Sequence, residues 1–207
     1  MDITIRAATR ADIDHIIPMF LEDPAPDLRA VLPDPRTLRR VGELLARHGL
    51  LVAIDESVVA LIDGKPAGVM ETLRSQSTHA LGMRESLSVI ARATLDAGPG
   101  VLVRYVRLNR ARSRMAIKCP PGEFDLNELD VHPQHRNHGI GGRLVRHAEE
   151  VARSRGFSSM CLTTEIDNPA RRLYERCGFS VVRGATDAVY AEMTGSPGRV
   201  LMRKRLA

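Results

Sequence analysis

The sequence predicts an α/β protein of the α+β kind, in which strands and helices share one sheet-based domain. Residues 126–180 alternate a strand, a glycine-rich turn, a helix, a strand, a short helix and the start of another strand. Two apolar runs joined by Asp63-Gly64 predict a β-hairpin. The chain of 207 residues is 43% hydrophobic and 27% charged, which is typical of a globular protein. We therefore expect one domain over residues 1–207.

The first third of the chain predicts a strand, two helices and the hairpin. Residues 3–7 alternate apolar and polar side chains, which favours a strand. Thr9 and Asp12 resemble a shortened capping box at the start of the first helix. Residues 23–32 are rich in Pro and Asp and are predicted to form a loop. Asp34-Pro35 predicts a second helix, which runs to about residue 47 and stops at Gly49.

A helical insertion is predicted at residues 74–122, between the hairpin and the central strand. Residues 81–95 and 101–115 both have helical patterns, and Gly98-Pro99-Gly100 separates them. Four arginines share one face of the second helix: Arg104, Arg107, Arg110 and Arg114. This face is interpreted either as a solvated surface or as a docking surface for an acidic acceptor or partner.

The last third predicts strands at residues 158–164, 179–182 and 200–204, with a short helix starting at Asn168-Pro169. Residues 184–198 are predicted to form a variable loop. The whole order is β-α-α-β-β-(helices)-β-α-β-α-β-β.

The centre of the chain predicts an anion site. An apolar-alternating strand at residues 126–131 leads into a turn with Arg136, Gly139 and Gly141, and a helical pattern follows. The free N–H groups of a first helical turn attract negative charge, and glycines let a phosphate approach the backbone. The pattern R-x-x-G-x-G is neither GxxxxGK[ST] nor GxGxxG, because Leu144 stands where a third glycine would be needed.

This loop resembles the acyl-CoA pyrophosphate loop of the GNAT superfamily of N-acetyltransferases. A second motif strengthens the resemblance: Asn168-Pro169-Ala170, then Leu173-Tyr174-Glu175, then Cys177-Gly178-Phe179. The resemblance implies the acetyltransferase fold, with a mixed, mostly antiparallel central sheet flanked by helices. The close resemblance covers roughly a quarter of the chain, and the rest fits in its order of elements.

The resemblance also implies how acetyl-CoA is held. The diphosphate would contact the loop and helix start, and the pantetheine arm would lie beside the central strand as an added strand. The implied cofactor-binding residues are Leu129, Asp130, Val131, Arg136, Asn137, His138, Gly139, Ile140, Gly141, Gly142 and Asn168. A main-chain N–H near Val131 would stabilise the oxyanion. Asn168 has the alternative role of a helix cap, because the interval from Asn168 to Tyr174 is one residue shorter than the family pattern.

Two catalytic residues are predicted. Tyr174 matches the family's general acid, and a phenol is a suitable proton donor to a departing thiolate. Its alternative role is packing between helix and strand. Glu128, on the central strand, is the predicted base, with Asp130 and Glu165 as alternatives.

Composition excludes several classes. The chain carries a net charge of +5 and a pI near 9.5, interpreted as a solvated surface or as a field that attracts an anionic cofactor. Stacking aromatics do not accompany the basic residues, so no nucleic-acid partner is predicted. No apolar run is long enough for a membrane span and no signal peptide is recognised, so a cytoplasmic location is expected.

Neither a disulfide framework nor a metal site is predicted. The cysteines are odd in number and far apart: Cys119, Cys161 and Cys177. His132, His135 and His138 have no zinc-site spacing and no completing ligand, so no metal is expected. Cys177 is interpreted as packing at a helix end rather than as a nucleophile.

The predicted function is acetyl transfer from acetyl-CoA to a small amine or a peptide amine by direct attack in a ternary complex. An acyl-CoA-binding sensor or partner module without turnover is the alternative, and a regulator that binds ATP or NAD is a third. The sequence does not name the acceptor. A homodimer is common in the family, but nothing in the sequence demonstrates one.

Overall fold

The fold is built on one seven-stranded sheet with the order β1-β2-β3-β4-β5-β7-β6. The computed structural model describes residues 2–47, 53–72 and 91–206. The strands are β1 (Ile3–Ala7), β2 (Ser57–Ile62), β3 (Lys65–Thr72), β4 (Phe124–Val131), β5 (Ser159–Glu165), β6 (Ser180–Thr186) and β7 (Gly198–Arg205). Neighbouring strands are antiparallel except β4 and β5, which run parallel. The predicted mixed, mostly antiparallel sheet is confirmed.

Helices flank this sheet. They are α1 (Ile13–Glu22), α2 (Pro26–Val31), α3 (Pro35–Arg47), α4 (Gly100–Met115), α5 (Ile140–Ser154), α6 (Arg171–Arg176) and α7 (Ala188–Thr194). Residues 91–97 are also helical. Two of these helices correct the sequence analysis, since α2 and α7 lie in segments that were predicted to be loops. Helix α2 begins with Pro26 at its first position. Helix α7 is capped by the Asp187 carboxylate, which accepts from the N–H of Tyr190 at 2.9 Å.

The predicted insertion is helical where the structure describes it. The helix predicted at residues 101–115 is α4, and residues 91–95 of the other predicted helix are helical too. The rest of that prediction, like the predicted stop at Gly49, lies outside the described residues. Helix α4 has 16 residues and is rich in arginine. No helix in the described ranges is both long enough and apolar enough to cross a membrane.

Local capping and turn signals were predicted correctly. The Asp12 carboxylate accepts from both the N–H and the hydroxyl of Thr9, at 2.8 and 2.9 Å. Asp34 accepts from the N–H of Thr37 at 2.7 Å and caps α3. Asp63 and Gly64 have φ values of 50° and 78°, as a tight turn between β2 and β3 requires.

The main core lies between the sheet and α5. Its buried side chains are mostly aliphatic, as the low aromatic content predicts, and include Met70, Leu126, Ile140, Leu144, Met160 and Met202. Phe124 and Phe157 meet edge to face with ring centroids 5.5 Å apart. A register shift between β3 and β4, at Asn127, interrupts the alternation of side chains along β4. Leu129 and Val131 therefore pack against the same core as Phe124 and Leu126, and Glu128 and Asp130 face the opposite side of the sheet.

The arginine face of α4 meets α7 on that opposite side. Arg114 forms a two-pronged ion pair with Asp187 at 2.7 and 2.9 Å, and Arg107 lies 3.2 Å from Glu192. Part of the predicted face therefore binds acidic residues of this same chain.

A disulfide corrects the cysteine prediction. Cys119 and Cys161 are bonded, with Cα atoms 5.8 Å apart, and Cys177 is the free cysteine. The pairing joins residues 42 apart in the chain, so sequence spacing did not reveal it.

Candidate functional site

Strands β4 and β5 are paired only where they begin. Two residue pairs join them, Phe124 with Met160 and Asp125 with Cys161. Beyond this point β5 stays paired with β7, and β4 stays paired with β3. The strands therefore part, and the edge of β4 that faces β5 is open over residues 126–131. An open strand edge is a place where an extended chain can add itself by main-chain hydrogen bonds.

The register of β3 and β4 determines which main-chain groups face this opening. The N–H of His132 donates to the carbonyl of Ala67 at 3.0 Å, so the pair Val69–Asp130 is hydrogen-bonded and the pair Gly68–Val131 is not. The N–H and C=O of Leu129 and Val131 consequently point to the open edge. Asp130 directs its main-chain groups at β3, so it reaches the opening through its carboxylate.

The predicted anion loop follows β4 directly. Gly139 has a φ of 82° and precedes the first residue of α5. The N–H of Arg143 is the first to bond back into the helix, to the carbonyl of Gly139 at 3.1 Å. The N–H groups of Ile140, Gly141 and Gly142 thus have no helical acceptor and form a cradle for an anion.

Gly141 and Gly139 are each required at the cradle for a different structural reason. A Cβ at Gly141 would lie 2.7 Å from Cδ2 of Leu173, so glycine lets α6 pack against the start of α5. Gly139 needs its positive φ. Asn137, with a φ of 66°, contributes a second left-handed residue to the loop. The loop thus folds back sharply from β4 into α5.

The side chain of Arg136 fastens the loop to its surroundings. Its Nε donates to the carbonyl of Val131 at 3.0 Å, and its Nη1 donates to Asp23 at 2.7 Å. His138 is exposed, and its Nδ1 lies 2.9 Å from the carbonyl of Arg136. The structure thus brings these predicted residues to one end of the open edge, with Arg136 already engaged within the chain.

Tyr174 lies on α6, which packs against the start of α5. Its side chain is 7% exposed, and its ring meets Phe179 with centroids 6.2 Å apart. Among the described residues no partner hydrogen-bonds its hydroxyl. Burial, and then the carboxyl groups of Glu128, Glu165 and Asp130, raise the pKa of Tyr174. The phenol therefore keeps its proton.

Glu128 and Asp130 lie on the sheet face opposite the main core. Burial, reinforced by Asp130 and Glu71, raises the pKa of Glu128 to about 8. Burial raises the pKa of Asp130 to about 7, against the opposing effect of Arg136. In the portion of the chain described here, Glu128 makes no hydrogen bond or ion pair. It is thus the uncommitted carboxyl group of the site.

Glu165, the alternative base, is held in a buried network. Arg199 lies 2.7 Å from Glu165 and 3.6 Å from Asp27, and the hydroxyl of Tyr190 donates to Asp27 at 2.9 Å. The amide of Asn168 donates to Glu165 at 3.2 Å. A carboxylate with this many donors is poorly placed to take a proton from a substrate.

Asn168 stabilises the turn that leads into α6, whose N-cap residue is Ala170. Its side-chain oxygen accepts from the N–H of Ala170 at 2.9 Å, just before α6. Together with the bond to Glu165, this uses both ends of the amide. The cofactor role for Asn168 stays a prediction.

Sequence reasoning missed residues that other strands bring to the site. Glu71 of β3 is fully buried and accepts from Asn127 at 3.0 Å and from the N–H of Ala53 at 3.1 Å. Arg199 and Tyr190 come from the end of the chain. A buried carboxylate in an otherwise apolar strand, as at Glu71, was the signal that could have been followed.

A polar cavity of about 280 Å³ lies beside the fork of the sheet. Its walls include Asp125, Asn127, Thr163 and the disulfide-bonded Cys119. Burial raises the pKa of Asp125 to about 6, with a further contribution from Glu71. Cys119, Asp125 and Cys161 are the group of potential metal ligands found among the described residues, and the disulfide occupies its two sulfur atoms.

Comparison with known proteins agrees with this geometry. The family model of the acetyltransferase (GNAT) family matches residues 19–179. Streptothricin acetyltransferase of Streptomyces lavendulae is 39% identical over 74 residues, which are 35% of this chain and 38% of that protein. N-alpha-acetyltransferase RimI of Mycobacterium tuberculosis is 29% identical over 118 residues, which are 56% of this chain and 61% of that protein. The matches thus span less than two thirds of either relative.

Solved structures support the fold. The crystal structure of an acetyltransferase has a TM-score of 0.58 at 20% identity and covers 99% of this chain and 100% of its own. PaiA N-acetyltransferase from Thermoplasma acidophilum, in complex with coenzyme A, has a TM-score of 0.58 at 15% identity, with 99% of each chain covered. Because the family model covers more than half of its residues and the sheet, cradle and open edge agree with it, this chain belongs to the acetyltransferase (GNAT) family.

Proposed function

We propose that this protein moves an acetyl group from acetyl-CoA to a primary amine by direct attack in a ternary complex. The observation that carries the proposal is the open edge of β4, which starts at the anion cradle of α5 and leads past Glu128. Tyr174 is close enough to this edge for the carboxyl group of Glu128 to raise its pKa. The groove between the diverging strands β4 and β5 thus combines an anion site, outward-facing main-chain groups of β4 and two groups that can transfer protons.

The residues at the groove fit acetyl-CoA. The unpaired N–H groups of Ile140, Gly141 and Gly142 suit a diphosphate. Leu129 and Val131 offer outward main-chain groups to an extended amide-containing arm. These groups are about two residues apart on one strand, as pairing with an added strand requires. Acetyl-CoA would supply the activated thioester at this place.

Tyr174 and Glu128 both have raised pKa values, which suit opposite roles. A phenol with a raised pKa holds its proton until a thiolate develops beside it, so Tyr174 is proposed as the acid. A carboxyl group with a pKa of about 8 is a stronger base than an ordinary glutamate. Glu128 is therefore proposed to take the proton of the attacking amine.

Direct transfer is proposed because the cysteines are poorly suited to carry the acetyl group. Burial raises the pKa of the Cys177 thiol, which disfavours the nucleophilic thiolate. Cys119 and Cys161 are bonded to each other. The amine is thus the expected nucleophile at the thioester.

A cationic amine is proposed as the acceptor. Four carboxyl groups, those of Glu71, Asp125, Glu128 and Asp130, come from β3 and β4. Glu71 contributes to the raised pKa of Asp125, and Asp130 and Glu71 contribute to the raised pKa of Glu128. A substrate ammonium would relieve this repulsion. The relatives named for streptothricin and for N-alpha acetylation give two starting acceptors.

Calorimetry and a turnover assay test the proposal in two stages. Purified protein is titrated with acetyl-CoA, ATP and NAD, and acetyl-CoA is expected to bind most tightly. Release of CoA is then followed with streptothricin, polyamines and peptides with free N-termini. Binding without release across this panel would favour an acyl-CoA-binding module, and tighter binding of ATP or NAD would overturn the proposal.

A further inference from the structure

Three potential metal ligands meet at the fork of β4 and β5. Asp125 and Cys161 are Cα partners in the last residue pair of these strands, and Cys119 lies in the segment just before β4. One ligand atom of each residue lies within 4.8 Å of those of the other two. These three residues, here called the fork cluster, come from separate parts of the chain, so the fold brings them together.

The carboxyl group of Asp125 faces a sulfur atom that offers it no hydrogen. Oδ1 of Asp125 lies 3.1 Å from Sγ of Cys119, and a sulfur atom in a disulfide has no S–H group to donate. Among the residues that the structure describes, no N–H or O–H group donates to Asp125. A cation shared by the carboxylate and a thiolate would satisfy this contact once the disulfide is reduced.

We propose that the fork cluster binds one Zn²⁺ ion in the reduced protein, through the thiolates of Cys119 and Cys161 and the carboxylate of Asp125. A dithiol reductant transfers two electrons and two protons to the disulfide and is itself oxidised to a disulfide. Zinc binding then releases the two thiol protons to solvent. Thiolate sulfur and carboxylate oxygen are both common zinc ligands.

The geometry of the fork suits zinc with three protein ligands. In a tetrahedral site with Zn–S bonds of about 2.3 Å, two sulfur atoms lie about 3.8 Å apart. The Cα atoms of Cys119 and Cys161 are 5.8 Å apart, so rotation of the Cys119 side chain can provide this separation after reduction. The polar cavity of about 280 Å³ beside Cys119 and Asp125 gives the ion a path of entry and has room for water as the fourth ligand.

The charges around the cavity favour the same ion. Two thiolates and one carboxylate carry one negative charge more than Zn²⁺ neutralises, and Arg112 and Lys118 line the cavity and compensate for it. The same cations favour the thiolate forms before the metal arrives. Zinc would cross-link the fork in the reduced protein as the disulfide does in the oxidised protein, and the two states exclude each other because they use the same sulfur atoms.

Zinc titration of the full chain tests the proposal without acetyl-CoA. The protein is reduced with a dithiol, freed of it by gel filtration under inert gas, and titrated with Zn²⁺ in competition with a chromogenic chelator. The reduced protein should bind one zinc ion per chain and the oxidised protein none. Asp125→Asn keeps both thiols but should raise the Kd of zinc at least about tenfold, since even the loss of an outer-shell partner costs about that much. Cys177→Ser is the matched control and should bind zinc as the wild type does.

Two further readouts separate this site from zinc held by surface histidines. Co²⁺ in place of zinc should give thiolate-to-cobalt charge-transfer absorption, which is lost in Cys119→Ser. Zinc should also raise the Tm of the reduced wild type, because it binds the folded state, and leave the Tm of Cys119→Ser unchanged. Absence of zinc from the reduced wild type would overturn the proposal. So would binding without thiolate absorption, or equal binding by the oxidised protein.

Discussion

Asp125 of β4 and Cys161 of β5 form the last residue pair that joins these two strands. Cys161 is also bonded to Cys119, which precedes β4. The disulfide therefore sits at the fork from which the groove opens, and it ties the segment after α4 to the half of the sheet that contains β5.

Removal of this disulfide is expected to destabilise the protein. It closes a loop of 42 residues, and such cross-links contribute about 2–4 kcal/mol to the free energy of unfolding. For a chain of this size Tm should fall by about 5–10 °C on reduction or in Cys119→Ser. The measurement is thermal denaturation with and without reductant.

Cys177→Ser is the matched control, because Cys177 is not bonded. Its Tm should stay sensitive to reductant, whereas the Tm of Cys119→Ser should not be. Equal wild-type Tm values with and without reductant would contradict the role given to the bond.

Loss of the Tyr174 hydroxyl is expected to slow the chemical step. Without a proton donor the thiolate must leave unassisted, so kcat of Tyr174→Phe should fall about 100-fold while KM for acetyl-CoA changes little. Steady-state kinetics with any working amine measure this. Tyr105→Phe is the control, since Tyr105 is 57% exposed on α4. A wild-type kcat for Tyr174→Phe would leave Tyr174 with a packing role only.

The pH profile should report Glu128. The neutral carboxyl group cannot accept a proton, so kcat/KM of the wild type should rise with pH and level off above a midpoint near 8. Glu128→Gln should lower kcat/KM about 100-fold and lose this midpoint. Asp125→Asn is the control on the same strand and should retain it. A midpoint near 8 that persists in Glu128→Gln would assign the titration to another group.

Glu128→Gln also tests the raised pKa of Glu128 in the absence of any amine substrate. The folded chain holds a proton on Glu128 up to about pH 8, whereas the ordinary value is 4.5. The protonated carboxyl group of Glu128 therefore contributes to the free energy of unfolding, and this contribution is fully present below pH 4.5 and is lost as the pH rises through about 8. Wild-type Tm should therefore fall relative to that of Glu128→Gln between pH 5 and 9, as measured by thermal denaturation. A constant difference across this range would contradict the shift.

Features governed by neighbouring residues were predictable from the sequence. The Asp34 cap, the turn at Asp63-Gly64 and the cradle that starts at Gly139 each depend on a few consecutive residues and their backbone preferences. The paired motifs around Gly141 and Tyr174 made the family recognisable, because both lie in the half of the chain that forms the groove.

Features governed by distant contacts were not predictable. The bond between Tyr190 and Asp27 joins residues 163 positions apart, and the helices that carry them were predicted as loops. Both helices are short, and tertiary packing supplies much of the stability of such helices. The set of main-chain groups at the open edge of β4 likewise depends on the β3–β4 register, which no single strand encodes.

The buried ion pair between Arg199 and Glu165 provides the sharpest stability test of this distant network. The two side chains are 12% and 11% exposed, and Arg199 also lies 3.6 Å from Asp27. Arg199→Met would leave Glu165 without its cation in a poorly hydrated place, whereas Asp27 would keep its ion pair with Arg112 at 3.1 Å. The free energy of unfolding, measured by urea denaturation, should fall by about 3–5 kcal/mol.

A matched exposed pair and a double variant separate burial from charge. Arg47→Met breaks a pair with Asp14 at 2.8 Å whose side chains are 56% and 73% exposed, and it should cost less than about 1 kcal/mol. Adding Glu165→Gln to Arg199→Met removes one stranded charge, so part of the lost stability should return. If Arg199→Met and Arg47→Met cost the same, the network around Glu165 is hydrated, and Glu165 regains its candidacy as the base.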